Sequence, residues 1–155
     1  MHYFKNSPNV KRYLLILWLF CILGCSNHIE PGSHLRKSEV ALIQRLHLLD
    51  SGEHIYKFYS EYKTKVAGNF FTDKRMACYW LDEKDKSKDR ILSAYYPDIV
   101  AIDTVYNAGL TYSPYMLVTT KNRTQFRVCA DGAHQQIKAF FEAALEQWRL
   151  HQPAE

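Results

Sequence analysis

The sequence is poor in the features that announce catalysis or a membrane crossing. Its longest apolar run, Leu14 to Gly24, is about eleven residues, roughly half the ~20 that a helix needs to span the hydrocarbon core. A spanning helix is therefore not expected there. There is no Gly-x-Ser-x-Gly, no His-Glu-x-x-His, no phosphate-binding glycine loop and no Cys-x-x-Cys pair, each of which would hold chemical groups at a defined spacing. No internal repeat is evident. The seven histidines are scattered; His28 and His34 fall in or beside a polar stretch without rigid support, and His47 stands alone between leucines. The acids of "DEKDKSKDR" (82–90) alternate with lysines in what reads as a flexible, solvated loop. Such a loop does not hold two carboxylates at the separation that acid–base hydrolysis needs. No catalytic residue, metal ligand or cofactor is expected.

What is there begins with an asymmetry of charge. Lys5, Lys11 and Arg12 precede the apolar run, and no acid does. A basic segment followed by a short apolar one is the make-up of a secretory signal. An ordinary signal ends in a small-x-small cleavage site, whereas this run ends Ile22-Leu23-Gly24-Cys25. That ending resembles the lipobox of bacterial lipoproteins, in which an aliphatic, a variable and a small residue precede an invariant cysteine. The resemblance implies that residues 1–24 are cleaved off and that Cys25 carries a diacylglycerol and often an acylated amino group. Each buried methylene of such chains contributes about 0.8 kcal/mol, so three chains give a stable anchor. Cys21 does not fit, because Phe20 before it is too large for the small position. Among lipoproteins of enteric bacteria, a Ser after the cysteine, here Ser26, implies the outer membrane, facing the periplasm, rather than the inner one.

Cleavage would change the bulk reading. Three of the 20 basic residues and none of the 16 acidic ones leave, so the net charge falls from +4 to +1. A basic nucleic-acid surface is not implied. About 130 residues remain, enough for one domain with one core. The aromatic share of 14%, with 11 Tyr, leans towards β structure.

Residues 25–36, with Pro31 and Gly32 and no apolar period, read as a tether. Residues 37–50 read as a short helix: Val40 and Ile43 recur at helical spacing, Ser38 is a candidate N-cap and Gly52 a stop. From His54 the period becomes two. Seven candidate strands follow: "HIYKFYSEY", "KVAGNFFT", "RMACYWL", "ILSAYY", "DIVAIDTVY", "YMLVTT" and "TQFRVCA". The first is expected to set Tyr56, Phe58 and Tyr62 on one side. Pro97 breaks the fourth from the fifth. The chain then returns to the helical period, with Ile137, Phe140, Phe141, Ala144, Leu145 and Trp148 on one face after Asp131-Gly132 and before Pro153. So wide an aromatic stripe needs an apolar surface to cover. The expectation is a mainly β fold with helices (α+β), a seven-stranded barrel or sandwich over residues 51–150 whose opening the last helix plugs, and a tail at 151–155.

Gly52-Glu53, "FFTDKRMACYW" and "SAYYPDIVAI" resemble recurring segments of the bacterial pleckstrin-homology-like (PH-like) domains, whose last strand is likewise followed by a helix. The resemblance covers about Asp50 to Arg149. It implies a PH-like fold; with no catalytic constellation in the sequence, the reading is a binding or scaffold module rather than an enzyme. It does not carry specific phosphoinositide binding: the first hairpin offers Lys57, Lys63 and Lys65 but no Arg, and phosphate recognition needs converging basic groups.

Two candidate sites remain. The loop from Val105 to Tyr115 holds Tyr106, Leu110, Tyr112 and Tyr115 with Gly109 and Pro114. Tyr on an adaptable loop anchors interfaces; the same rings could instead cover the end of the barrel. Cys78 and Cys129 are the cysteines left besides the anchor. Export to an oxidising compartment favours a bridge between them. The alternation, with Phe126 and Val128 inward, turns Cys129 outward and favours two free thiols. The reading reached is a lipid-anchored envelope lipoprotein that binds an envelope protein. The alternatives are a small periplasmic hydrolase or carbohydrate-active enzyme with an unrecognised site, and a carrier of an apolar ligand.

Overall fold

A computed structural model describes residues 28–109 and 112–152. The strands are β1 (Glu30–Pro31), β2 (Ile55–Tyr59), β3 (Ala67–Thr72), β4 (Arg75–Trp80), β5 (Arg90–Tyr95), β6 (Ile99–Val105), β7 (Tyr115–Thr120) and β8 (Gln125–Cys129); the helices are α1 (Lys37–Arg45) and α2 (His134–Leu150). β1 to β5 form one antiparallel sheet in chain order, and β6 to β8 form a second. The two do not close into a barrel, so the sandwich half of the expected fold is the one found.

The first sheet is covered on both faces, which explains why β3 shows no alternation and is buried throughout. On one face Phe58, Phe70, Ala77 and Tyr79 pack with Ile43 of α1 and with Leu48 and Leu49 after it. On the other, Tyr59, Phe71 and Met76 pack with Met116, Val118, Phe126 and Val128 of the second sheet and with Ile137, Phe140, Phe141 and Ala144 of α2. Phe71 and Phe140 meet edge to face at 5.3 Å. The indole of Trp148 donates to the carbonyl of Ile99 at 3.2 Å, docking the end of α2 on β6. Close packing also dictates Gly68. A β-carbon there would lie 2.4 Å from the Tyr79 ring, whose hydroxyl donates to the carbonyl of Thr64.

Several expectations are corrected. Part of the expected tether is strand: Glu30 and Pro31 pair with Phe58 and Lys57 as a two-residue edge strand, so the described residues hold eight strands. The helix expected to run to residue 50 ends at Arg45, and the chain turns at His47, in the left-handed region with φ 59°. In β2 a register shift between Ile55 and Lys57 breaks the period of two. Ile55, Phe58 and Tyr59 are buried instead, while Tyr56 and Tyr62 are exposed. The second helix starts at His134 with Ala133 as its N-cap, two residues beyond the expected Asp131-Gly132 start.

Candidate functional site

Three of the buried polar residues, Glu53, Thr72 and Arg75, form a clamp at one end of the first sheet. Arg75, at the start of β4, donates through Nε to Glu53 Oε1 at 2.9 Å and through Nη2 to Glu53 Oε2 at 2.7 Å. The same Nη2 lies 2.5 Å from Asp50, and Nη1 donates to the His47 carbonyl at 3.3 Å. Thr72 Oγ1 donates to Glu53 at 2.5 Å and accepts from the amides of Lys74 and Arg75. The guanidinium also stacks over the Tyr95 ring, 4.2 Å from its centre, and the Tyr95 hydroxyl donates to Asp50. That hydroxyl and Arg75 hold the Asp50 carboxyl below its ordinary value. Burial alone would lower the Arg75 pKa, but Glu53 and Asp50 outweigh it and raise it. No buried side-chain atom of Glu53, Thr72 or Arg75 lacks a partner within the fold, and the clamp joins the turn after α1 to the β3–β4 turn. These residues lie in the Gly-Glu and Thr-Asp-Lys-Arg segments of the sequence. Their coming together was not visible there, because the partners are 22 positions apart.

The tyrosine loop divides its residues between the two readings. Tyr106 packs on the core, its ring 5.3 Å from that of Phe141 and 5.9 Å from that of His134. Tyr115 begins β7 and lies under the Arg127 guanidinium at 4.5 Å. Tyr112 is 67% exposed. With Tyr106, Asn107, Ser113 and Asp131 it borders a cleft of about 560 Å³. Ser113 hydrogen-bonds the buried hydroxyl of Tyr59, whose pKa burial pushes up to about 12. Leu110 lies outside the described residues.

Cys78 and Cys129 are brought together across the two sheets. Cys78 is the β4 partner of Asn69 in β3, and the Cys129 amide donates to the Asn69 side chain at 2.9 Å. Both border one cleft of about 840 Å³ between the sheets. Both are unbonded and half-buried, with Phe126 and Val128 of β8 inward of Cys129. Burial pushes the Cys78 thiol up to about 12 and the Cys129 thiol up to about 11.

Among the described residues no group of three His, Cys, Asp or Glu side chains could hold a metal ion, and no helix is long and apolar enough to cross a membrane. Cys25 lies outside those residues.

Comparison with family models and with curated proteins finds no match. Among solved structures, the fold is similar to a DUF1696 family protein with a pleckstrin-homology domain from Shewanella loihica PV-4. The two share 10% identity over 79% of this chain and 98% of that one, with a TM-score of 0.50. At that identity the likeness is one of fold: this chain has a PH-like fold.

Proposed function

We propose that the protein is a cell-envelope lipoprotein, held in the membrane by acyl chains on Cys25, whose PH-like domain binds an envelope protein as a scaffold. The observation that carries the binding reading is the fold itself. Its interior is filled by Phe71, Met76, Met116, Val118, Phe140 and Phe141, all fully buried, which takes up the space that a carrier of an apolar ligand would need. The buried charges are spent on one another at the Glu53–Arg75 clamp, which leaves no buried acid poised for hydrolysis in that clamp. The anchor reading is supported by the basic segment, the short apolar run and Gly24-Cys25. Ser26 after the cysteine supports the outer membrane. Tyr112, exposed on a loop whose neighbours are fastened to the core, is the proposed partner contact. After export, Cys78 and Cys129 are proposed to form a disulfide, giving up two protons and two electrons to a disulfide-exchanging oxidant.

The test is metabolic labelling with an azido fatty acid, followed by purification from detergent-solubilised envelopes. The wild-type chain should take the label and retain a stoichiometric protein partner. A Cys25→Ala chain should take none. Persistent labelling of that variant, or a wild-type chain that purifies alone, would overturn the corresponding half of the reading.

A further inference from the structure

We infer that the open edge of β8 receives an extended segment of a partner protein as an added strand, with alternate apolar side chains of that segment in the cleft between the two sheets. This rests on the reading that the domain binds a protein, and deepens it by naming where the partner's main chain lies.

The first observation is which backbone groups β8 leaves open. β8 ends the order β6-β7-β8, so β7 is its one strand neighbour among the described residues. The Thr120 amide donates to the Thr124 carbonyl and the Ala130 amide to the Pro114 carbonyl, while Tyr115 stands opposite Cys129. An antiparallel ladder alternates bonded and non-bonded pairs. Phe126 and Val128 therefore bond to β7, and Gln125, Arg127 and Cys129 turn their N–H and C=O groups away from it. Cys129 fixes the phase, since its amide donates to the Asn69 side chain at 2.9 Å. That contact closes the edge at Cys129. Beside Arg127 and Gln125 no strand stands.

The second observation is where the edge side chains go. Charged side chains held across an edge are a usual guard against strand addition. Here they are drawn back over β7 instead. The Arg127 guanidinium lies 4.5 Å from the centre of the Tyr115 ring, and Gln125 Nε2 donates to Thr119 Oγ1 at 3.0 Å. The main chain at these two residues is left unguarded by its own side chains.

The third is the cleft that this edge borders, about 840 Å³, with Gln125 and Arg127 on one side and Trp80 and Leu92 on the other. Met76, Cys78 and Trp80 alternate along β4 and so share a face, and Leu92 stands opposite Cys78. Met76, Cys78 and Leu92 belong to the core between the sheets. Trp80, 41% exposed, carries that apolar face out to the rim. Every second side chain of an added strand would meet this wall. The charges bordering the cleft are three of each sign, Glu61, Asp82 and Asp89 against Lys88, Arg90 and Arg127, so the net charge of a ligand is not what the site selects. Main-chain donors and acceptors at strand spacing select an extended polypeptide, and the apolar wall selects its alternation.

The test uses the full acylated chain in detergent and a synthetic peptide of alternating valine and threonine with a lysine at each end. Amide hydrogen exchange is read residue by residue. With peptide, the Gln125 and Arg127 amides should exchange several-fold more slowly, and the edge strand β6 should be unchanged. Arg127→Pro removes an edge donor without removing a bond to β7, and edge strands tolerate proline. In that variant the slowing at Gln125 should be lost while the Phe126 and Val128 amides stay protected by β7. No slowing at Gln125 and Arg127 in the wild type overturns the inference, whatever the variant does, and so does slowing that survives in a folded Arg127→Pro chain. Protection of these two amides without peptide, growing with protein concentration, overturns it in favour of a second copy of this chain. Purification from envelopes separates the two readings. A wild-type chain that purifies alone overturns the binding reading and this inference together, whereas a partner retained equally by folded Arg127→Pro overturns this inference alone.

Discussion

Arg75 and Glu53 meet side by side in the interior, two nitrogens on two oxygens at 2.9 and 2.7 Å, with their side chains 3% and 0% exposed. A pair so placed has left its hydration behind, and each member depends on the other for compensation. Replacing Arg75 alone by Met should leave the buried Glu53 carboxylate with the Thr72 hydroxyl and the Asp50 amide as donors and no cation beside it. The expected loss is about 3–5 kcal/mol, the range for stripping a buried charge of its partner. Replacing both by Met should recover much of it, since the charge that lacked compensation is then gone. Urea midpoints of the two variants check this; equal losses would mean that the pair's geometry, rather than its charge balance, carries the stability.

Asp50 makes the same clamp sensitive to acid. Its carboxyl titrates below the ordinary value of 3.8, first because Tyr95 donates to it and then because Arg75 lies beside it. A carboxyl whose folded value is depressed adds stability above its unfolded value, and that stability is lost as pH falls through the folded one. The difference in melting temperature between wild type and Asp50→Asn should therefore be constant from neutral pH down to about pH 5 and should shrink below about pH 4. A difference independent of pH down to the acid limit would assign the effect to the hydrogen bond alone.

The aromatic stripe of α2 is a matter of packing. Phe141 is fully buried between Tyr106 and Phe140. Phe141→Ala should cost on the order of 3–5 kcal/mol, the range for emptying an aromatic site in a core. A loss below about 1 kcal/mol in denaturant melts would mean that this face of the helix is not packed in solution.

How far these features could be read from the chain depends on how local their causes are. The stripe Ile137, Phe140, Phe141 and Ala144 states its own period, and so do Phe126 and Val128 in β8, because one face of each element is buried and the other is wet. β3 gives no such signal, since Phe70 and Phe71 go to opposite cores and both are covered. The bulge near Tyr56 inverts the pattern locally, which a rule of strict alternation cannot foresee. β1 is two residues long and takes its form wholly from β2, so Glu30-Pro31 reads as tether. Among candidate sites, the tyrosine cluster was visible as composition. Only packing separates Tyr106, held against Phe141, from Tyr112, which faces solvent. The Glu53–Arg75 clamp left short motifs behind, but nothing in their spacing says that the two side chains meet.

Tyr112 and Tyr106 should consequently fail in different ways. At 67% exposure, Tyr112 contributes little to the fold, and Tyr112→Ala should change stability by no more than about 0.5 kcal/mol. Partner recovery from solubilised envelopes should fall. Tyr106→Ala should lower the melting temperature through its lost contact with Phe141. Unchanged recovery with Tyr112→Ala, beside a lowered melting temperature, would instead make the loop a cover for the end of the sandwich.

The cysteines offer the sharpest separation of outcomes. Cys78 and Cys129 flank Asn69 from two different sheets, so a bond between them would tie the sheets at a seam that no backbone ladder crosses. Joining positions so far apart in sequence would add roughly 2–4 kcal/mol in the loop-entropy view. In the reduced, folded chain the thiolate is the reactive form, and burial holds the two thiols up at about 12 and about 11. Alkylation of both at pH 8 should then be slow until the chain is unfolded, with Cys129 reacting ahead of Cys78. In protein taken unreduced from the periplasm, neither should alkylate in denaturant before reductant is added. Two reactive thiols in that unreduced, denatured sample would rule out the bridge and leave Cys78 and Cys129 as half-buried packing residues.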